Sequence, residues 1–101
     1  MSDVFDALAH PVRRKILKLL RDGPLSAGDL AERFEISKPT MSGHFAVLKA
    51  ADLVTAERKG TSIIYRLNMS VLEEAMAALM SIAQTSAPEP PEPSELKEQP
   101  T

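Results

Sequence analysis

Ser26 to Leu53 reads SAGDLAERFEISKPTMSGHFAVLKAADL, and it divides into two short helical patterns joined by a tight turn, a helix-turn-helix. In the first pattern Leu30, Ala31 and Phe34 recur at helical spacing. Ser26, followed three residues later by Asp29, makes a start like a capping box with Asp in place of the usual Glu. Glu35-Ile36 is the expected turn, with Ile36 pointing inward. Ser37 opens the second helix, because its hydroxyl can accept from an amide two or three residues on that has no partner within the helix. Met41, Phe45 and Leu48 follow at i, i+4 and i+7 and mark one buried stripe. Pro39 is tolerated this early, where the amide it lacks is not needed, and Ala51-Asp52 closes the helix.

The other side of the second helix has an unusual composition. Lys38, Thr40, Ser42, Gly43 and His44 crowd its first turns, where an ordinary surface helix carries Glu, Lys and Gln. Short side chains let a backbone approach another surface closely, and hydroxyl, imidazole and ammonium groups reach base edges and phosphates. The pattern therefore suits a helix end that enters a DNA major groove. A helical hairpin with a merely polar outer face would look much the same, so the chain that follows decides.

Val54 to Arg58 and Ser62 to Leu67 are β-prone, with Val54, Ala56 and Arg58, then Ile63, Tyr65 and Leu67, in alternation. Lys59-Gly60-Thr61 is the expected hairpin tip. Two strands alone are marginal and must lean on the helices. A basic tip directly after a helix-turn-helix reads as a wing, with Lys59 and Arg58 beside the phosphate backbone and Lys38 joining them from the helix. Thr40, Ser42 and His44 are then the expected readers of base edges.

Upstream, Ser2 is expected to cap a first helix, Asp3 to Ala9, whose apolar side is Val4, Phe5 and Leu8. His10 before Pro11 breaks it, and Pro11 begins a second helix running to Asp22. That helix buries Val12, Ile16, Leu19 and Leu20 and shows Arg13, Arg14, Lys15, Lys18 and Arg21 as a solvated face, some of whose arginines could reach flanking phosphates. Asp22-Gly23-Pro24 ends it. The last helix, capped by Ser70 and running to about Thr85, carries two apolar stripes. Leu72, Met76, Leu79 and Ala83 form one, and Val71, Ala75, Ala78 and Ile82 the other. The arc is too wide for packing on one side, and a second copy of the chain is the simplest cover. Together with the first helix this gives an isologous interface that sets two recognition helices about one DNA turn, roughly 34–36 Å, apart.

Composition bounds the rest. The chain of 101 residues is one small domain over residues 1–85, followed by an acidic tail, residues 86–101, that holds five of the eight prolines and four glutamates and is expected to be disordered. Residues 1–85 hold 11 Lys and Arg against 10 Asp and Glu, so any nucleic-acid contact must come from clustered charge and not from a global field. There is no cysteine, which removes disulfides, thiolate ligands and thiol nucleophiles together. His10, expected as a cap or surface residue, and His44 lie in different elements, and no ligand cluster has zinc-site spacing. No metal, cofactor or enzymatic activity is expected. With neither a signal peptide nor a long apolar run, the expected location is cytoplasmic.

The order of elements, together with HPVRRKILKLL, LAERFEISKPTMSGHFAVLKAADLV and the wing ERKGTSIIYRL, resembles the ArsR-type winged helix-turn-helix repressors over about residues 3–85. Within that family it is most similar to the SdpR-like autorepressor branch, which lacks the metal sites. The resemblance implies a mainly α fold with a small β-hairpin, in the order α-α-α-α-β-β-α, dimeric through its first and last helices. It implies a homodimer that binds an inverted-repeat operator in double-stranded DNA and represses transcription. The matching DNA-contacting positions are Ser37, Lys38, Thr40, Ser42, Gly43 and His44 in the recognition helix and Lys59, Gly60 and Thr61 in the wing. The implied interface comprises Val4, Phe5, Leu8, Val71, Leu72, Ala75, Met76, Leu79, Ile82 and Ala83. Metal-sensing members carry a cysteine pair where this chain has Leu25-Ser26-Ala27-Gly28-Asp29, and zinc-sensing members carry Asp and His along the last helix, where this chain has Glu73 and Glu74 but no histidine. Many relatives have arginine or histidine at the position of Gly43. Two other readings remain open at this point. One is a winged-helix interaction module, and the other is a sensor with a small-molecule pocket at the dimer interface.

Overall fold

Five helices and a small sheet make up the computed structural model, which describes residues 3–83. The expected cap at Ser2, the final turn to Thr85 and the tail from Ser86 lie outside the described residues. The order is α1 (Val4–Leu8), α2 (Pro11–Leu20), β1 (Leu25–Ser26), α3 (Ala27–Ala31), α4 (Lys38–Ala50), β2 (Val54–Lys59), β3 (Ser62–Leu67) and α5 (Met69–Ala83). No helix of the described residues is long and apolar enough to cross a membrane.

Local chemistry accounts for most boundaries. Asp3 is the N-cap of α1, accepting from the Phe5 amide at 2.9 Å. His10 caps α2 through Nδ1, which accepts from the Val12 amide at 3.1 Å, and Pro11 follows as a first helical residue. Ser26 and Ser37 cap α3 and α4 as their spacing predicts, accepting from Asp29 and Thr40 respectively. The expected cap at Ser70 is displaced, because α5 already begins at Met69. α3 also stops sooner than the apolar spacing suggests. Its last amides turn back on the third residue behind, Arg33 on Leu30 and Phe34 on Ala31, so Phe34 and Ile36 leave the helix and pack against the core from an irregular connection. That connection is longer than the expected Glu35-Ile36 turn. At the end of α4, Asp52 takes a left-handed φ of 62°, which turns the chain into β2.

The sheet has three strands, not two. β1 pairs antiparallel with β3, placing Leu25 opposite Tyr65 and Ser26 opposite Ile64, so β3 is central in the order β1-β3-β2. β2 and β3 pair from Val54 with Leu67 to Lys59 with Ser62, leaving Gly60-Thr61 as a two-residue tip. Positive φ at Gly60 alone is the type II′ pattern, in which glycine is favoured at the first central position. Lys59 therefore ends a strand and does not sit in the loop.

The core gathers Ile16 and Leu20 of α2, Leu30 of α3, Met41, Phe45 and Leu48 of α4, and Leu53, Val54 and Tyr65 at the sheet. Phe45 stacks on Tyr65 with ring centroids 4.7 Å apart, tying the second helix of the helix-turn-helix to the central strand. Leu17, absent from the expected stripe of α2, is buried, while Val12 and Leu19 are only partly so. α5 joins the core by Val71 and Leu72, Ala75 is buried one turn on, and from Met76 to Ala83 every residue is exposed.

Two of the basic residues expected in solvent are not free there. Arg13 donates from Nε to the Ala7 carbonyl at 2.8 Å and from one terminal nitrogen to the Asp6 carbonyl at 3.0 Å, while Arg14 donates to the Leu8 carbonyl at 2.9 Å. These are the last carbonyls of α1, of which that of Asp6 also accepts from the Ala9 amide at 3.1 Å, and cations suit that end of its dipole. The other terminal nitrogen of Arg13 lies 3.2 Å from Nδ1 of His44 on α4. A guanidinium only donates, so that Nδ1 is the acceptor and the neutral ring carries its proton on Nε2. The His44 ring also lies against His10, with centroids 4.5 Å apart. Burial, then the neighbouring His10 and Arg13, hold the His44 pKa below its ordinary value of 6.5.

Two measurements test this packing. Leu48 is fully buried, and Leu48→Ala is expected to cost about 2–5 kcal/mol in urea denaturation. Because folding lowers the His44 pKa, the unfolded chain binds the extra proton first. The His44 contribution to stability is thus complete above its ordinary pKa and is lost as pH falls through the folded value. Wild type should lose more stability between about pH 7.5 and about pH 5 than His44→Gln, which keeps an acceptor but cannot take the proton.

Candidate nucleic-acid interface

α4 offers its outer side through the spacing of its inner one. With Met41, His44, Phe45 and Leu48 buried, Ser37, Lys38, Thr40, Ser42 and Gly43 are exposed on the cap and first turns. Ser37 Oγ donates to Thr40 Oγ1 at 3.0 Å as well as accepting from the Thr40 amide, so the two hydroxyls form one polar spot at the start of the helix. That end also carries the positive end of the helix dipole, and Lys38 adds a formal charge.

At the wing, Arg58, Lys59, Gly60 and Thr61 are all exposed. Arg66 pairs across the strands with Glu57 at 3.6 Å, whereas no ion pair among the described residues engages Arg58 or Lys59. The two expected clusters thus occupy adjoining elements, with the Phe45–Tyr65 stack beneath joining helix to sheet.

His44 departs from this pattern. Expected among the outward base readers, it retains only 9% of its exposure, one turn of helix on from the exposed Thr40 and on the inward side. Its imidazole is held neutral and faces Arg13 and His10, so it positions the helix from behind. The sequence did carry a signal: His44 lies three residues after Met41 and four before Leu48, on the flank of the buried arc. Arg13 carried none, because a helical charge does not reveal whose carbonyls lie beside it.

The residues expected at a dimer interface divide in two. Phe5, Met76, Leu79, Ile82 and Ala83 are exposed, with Ile82 at 77%. Val4, Leu8, Val71 and Leu72 pack against the core from partly buried positions, and Ala75 is buried within the chain, so it has no surface to give a partner. Among the described residues no three His, Cys, Asp or Glu side chains gather as a metal-binding group. The stretch Leu25-Ser26-Ala27-Gly28-Asp29 straddles β1 and α3 instead of lying in one helix.

Comparison with known proteins agrees with this architecture. A family model described as a helix-turn-helix domain matches residues 8–57. The chain is 49% identical over 76 residues to the transcriptional repressor SdpR of Bacillus subtilis (strain 168), covering 75% of this chain and 84% of that protein. It is 40% identical over 73 residues to the arsenical resistance operon repressor of Staphylococcus xylosus, covering 72% and 70% of the two chains. Among solved structures it is similar to a possible transcriptional regulator for arsenical resistance, with a TM-score of 0.72, 34% identity and coverage of 76% and 80%. It is also similar to the transcriptional repressor BigR from Xylella fastidiosa, with a TM-score of 0.63, 32% identity and coverage of 77% and 80%. These relatives are repressors or transcriptional regulators and not enzymes. With its helix-turn-helix, wing and terminal helix in this order, the chain belongs to the ArsR-type family of winged helix-turn-helix transcriptional repressors.

Proposed function

We propose that this protein is a homodimeric, sequence-specific repressor that binds an inverted-repeat operator without a metal co-ligand. The observation that carries this reading is the exposed row Ser37, Lys38, Thr40, Ser42 and Gly43 at the start of α4, together with a wing that has two unpaired cations among the described residues. Lys38, Arg58 and Lys59 neutralise phosphates and set the register. Thr40 and Ser42 read base edges, and Gly60 and Thr61 let the wing lie close to the backbone. His44 is left out of the reading set, since its ring is turned toward Arg13.

The second half of α5 supports the homodimer. Met76, Leu79, Met80 and Ile82 are large apolar residues at 37% exposure or more, and Phe5 of α1 is 43% exposed. A two-fold axis through these helices would cover them and present two recognition helices to successive turns of one duplex. The resemblance to the autorepressor branch of the family makes the region upstream of the protein's own coding sequence the first place to look for the operator.

The first experiment titrates a duplex from that region against unrelated competitor DNA at two salt concentrations, followed by footprinting. Saturable binding to an inverted repeat with half-sites one turn apart is expected, and failure of a folded dimer to distinguish that duplex from competitor would sink the reading. Lys38→Ala and Lys59→Ala should each weaken binding to all duplexes alike and reduce the salt slope by about one. Thr40→Ala keeps the amide that Ser37 caps. It should cost about 1–3 kcal/mol and relax preference at one operator position. Leu79→Glu, at a half-exposed site, should leave the fold intact and yield a monomer by analytical ultracentrifugation, with loss of tight operator binding.

A further inference from the structure

Gly43 is the sixth of the thirteen residues of α4, well inside the helix. A helix interior is where glycine is least favoured apart from proline, because it gives up the most backbone freedom and packs nothing. Nothing among the described residues explains it. Its φ is not among the positive values, which fall at Gly23, Gly60 and Asp52, so no special backbone conformation calls for glycine. No helix end is near, and α4 runs unbroken from Lys38 to Ala50. No close packing calls for it either, since a Cβ built there would meet no heavy atom within 4 Å. By contrast, Gly60 serves a tight turn.

Its direction is informative. At about 100° per residue, Gly43 lies about 200° round from Met41, opposite the buried Met41, Phe45 and Leu48. It is exposed in the same turns as Thr40 and Ser42. The space that its missing side chain leaves open therefore belongs to whatever lies against α4 from outside.

We propose that Gly43 is a specificity-determining clearance position, at which the recognition-helix backbone makes its nearest approach to the duplex, so that the bases facing it are selected by fit against bare backbone. This rests on the DNA-binding reading given above. Close approach lets Thr40 and Ser42, whose side chains are short, reach base edges that a helix held further out would miss. A methyl group at Gly43 lifts the helix from the groove, and a long side chain blocks it.

The test uses the full chain and a pool of random-sequence duplexes from which wild type selects its preferred duplex. Gly43→Ala should melt a few degrees higher than wild type, since it gains helix propensity without a clash, yet bind the selected duplex at least tenfold more weakly. Gly43→Arg should fold, lose at least a hundredfold in affinity and enrich no alternative sequence from the pool. Gly43→Ala binding as tightly as wild type, or Gly43→Arg enriching a new duplex at wild-type affinity, would overturn the clearance role and leave the DNA-binding reading standing. If wild type itself enriches no duplex, both fall together, because Gly43 would then face no groove.

Discussion

One guanidinium joins three helices. Arg13 of α2 donates to carbonyls at the end of α1 and touches His44 of α4. α1 has only five residues, too few to hold its hydrogen bonds alone, so its existence depends on partners at its ends. Asp3 supplies one end and Arg13 with Arg14 the other. The rotation of α4 about its own axis is fixed from the same point. With His44 held against Arg13 and His10, the exposed arc containing Thr40, Ser42 and Gly43 can face only outward.

One residue further along the buried side of α4, Phe45 stacks on Tyr65 of the central strand. The second helix is thereby held between a polar junction and an aromatic one. Each resists a different displacement, rolling in the first case and lifting from the sheet in the second. β1 strengthens the second restraint, since it pairs with β3 at Tyr65 itself and connects through Ser26 to the cap of α3. The helix-turn-helix and the wing thus share backbone hydrogen bonds as well as core contacts.

Much of this was legible in the chain. Met41, Phe45 and Leu48 gave the inner face of α4, Ser26 and Ser37 gave helix starts, and the alternation ending at Tyr65 and Leu67 gave the hairpin. These are signals carried by neighbours in sequence. What escaped depends on neighbours in space. A strand of two residues is too short to show a period of two, so β1 could be seen only through its partner. A cation on a helix looks solvated until another helix ends beside it, as α1 does beside Arg13. α3 ends at Ala31 although Phe34 keeps helical spacing, and Phe34 and Ile36 pack against the core from irregular backbone. At the candidate interface, the outward residues of α4 and the wing were readable from composition, while the inward turn of His44 required the pairing of helices.

The strand order β1-β3-β2 leaves β2 with one edge unpaired among the described residues. Such an edge is a template for another strand, and exposed flat edges invite runaway association between copies. Here the exposed residues along β2 are Thr55, Glu57, Arg58 and Lys59, so three of the four are charged. A second strand laid alongside would have to desolvate those charges or match both signs in register. The wing can therefore stand out from the body of the molecule, as contact with a large partner demands, without seeding aggregation.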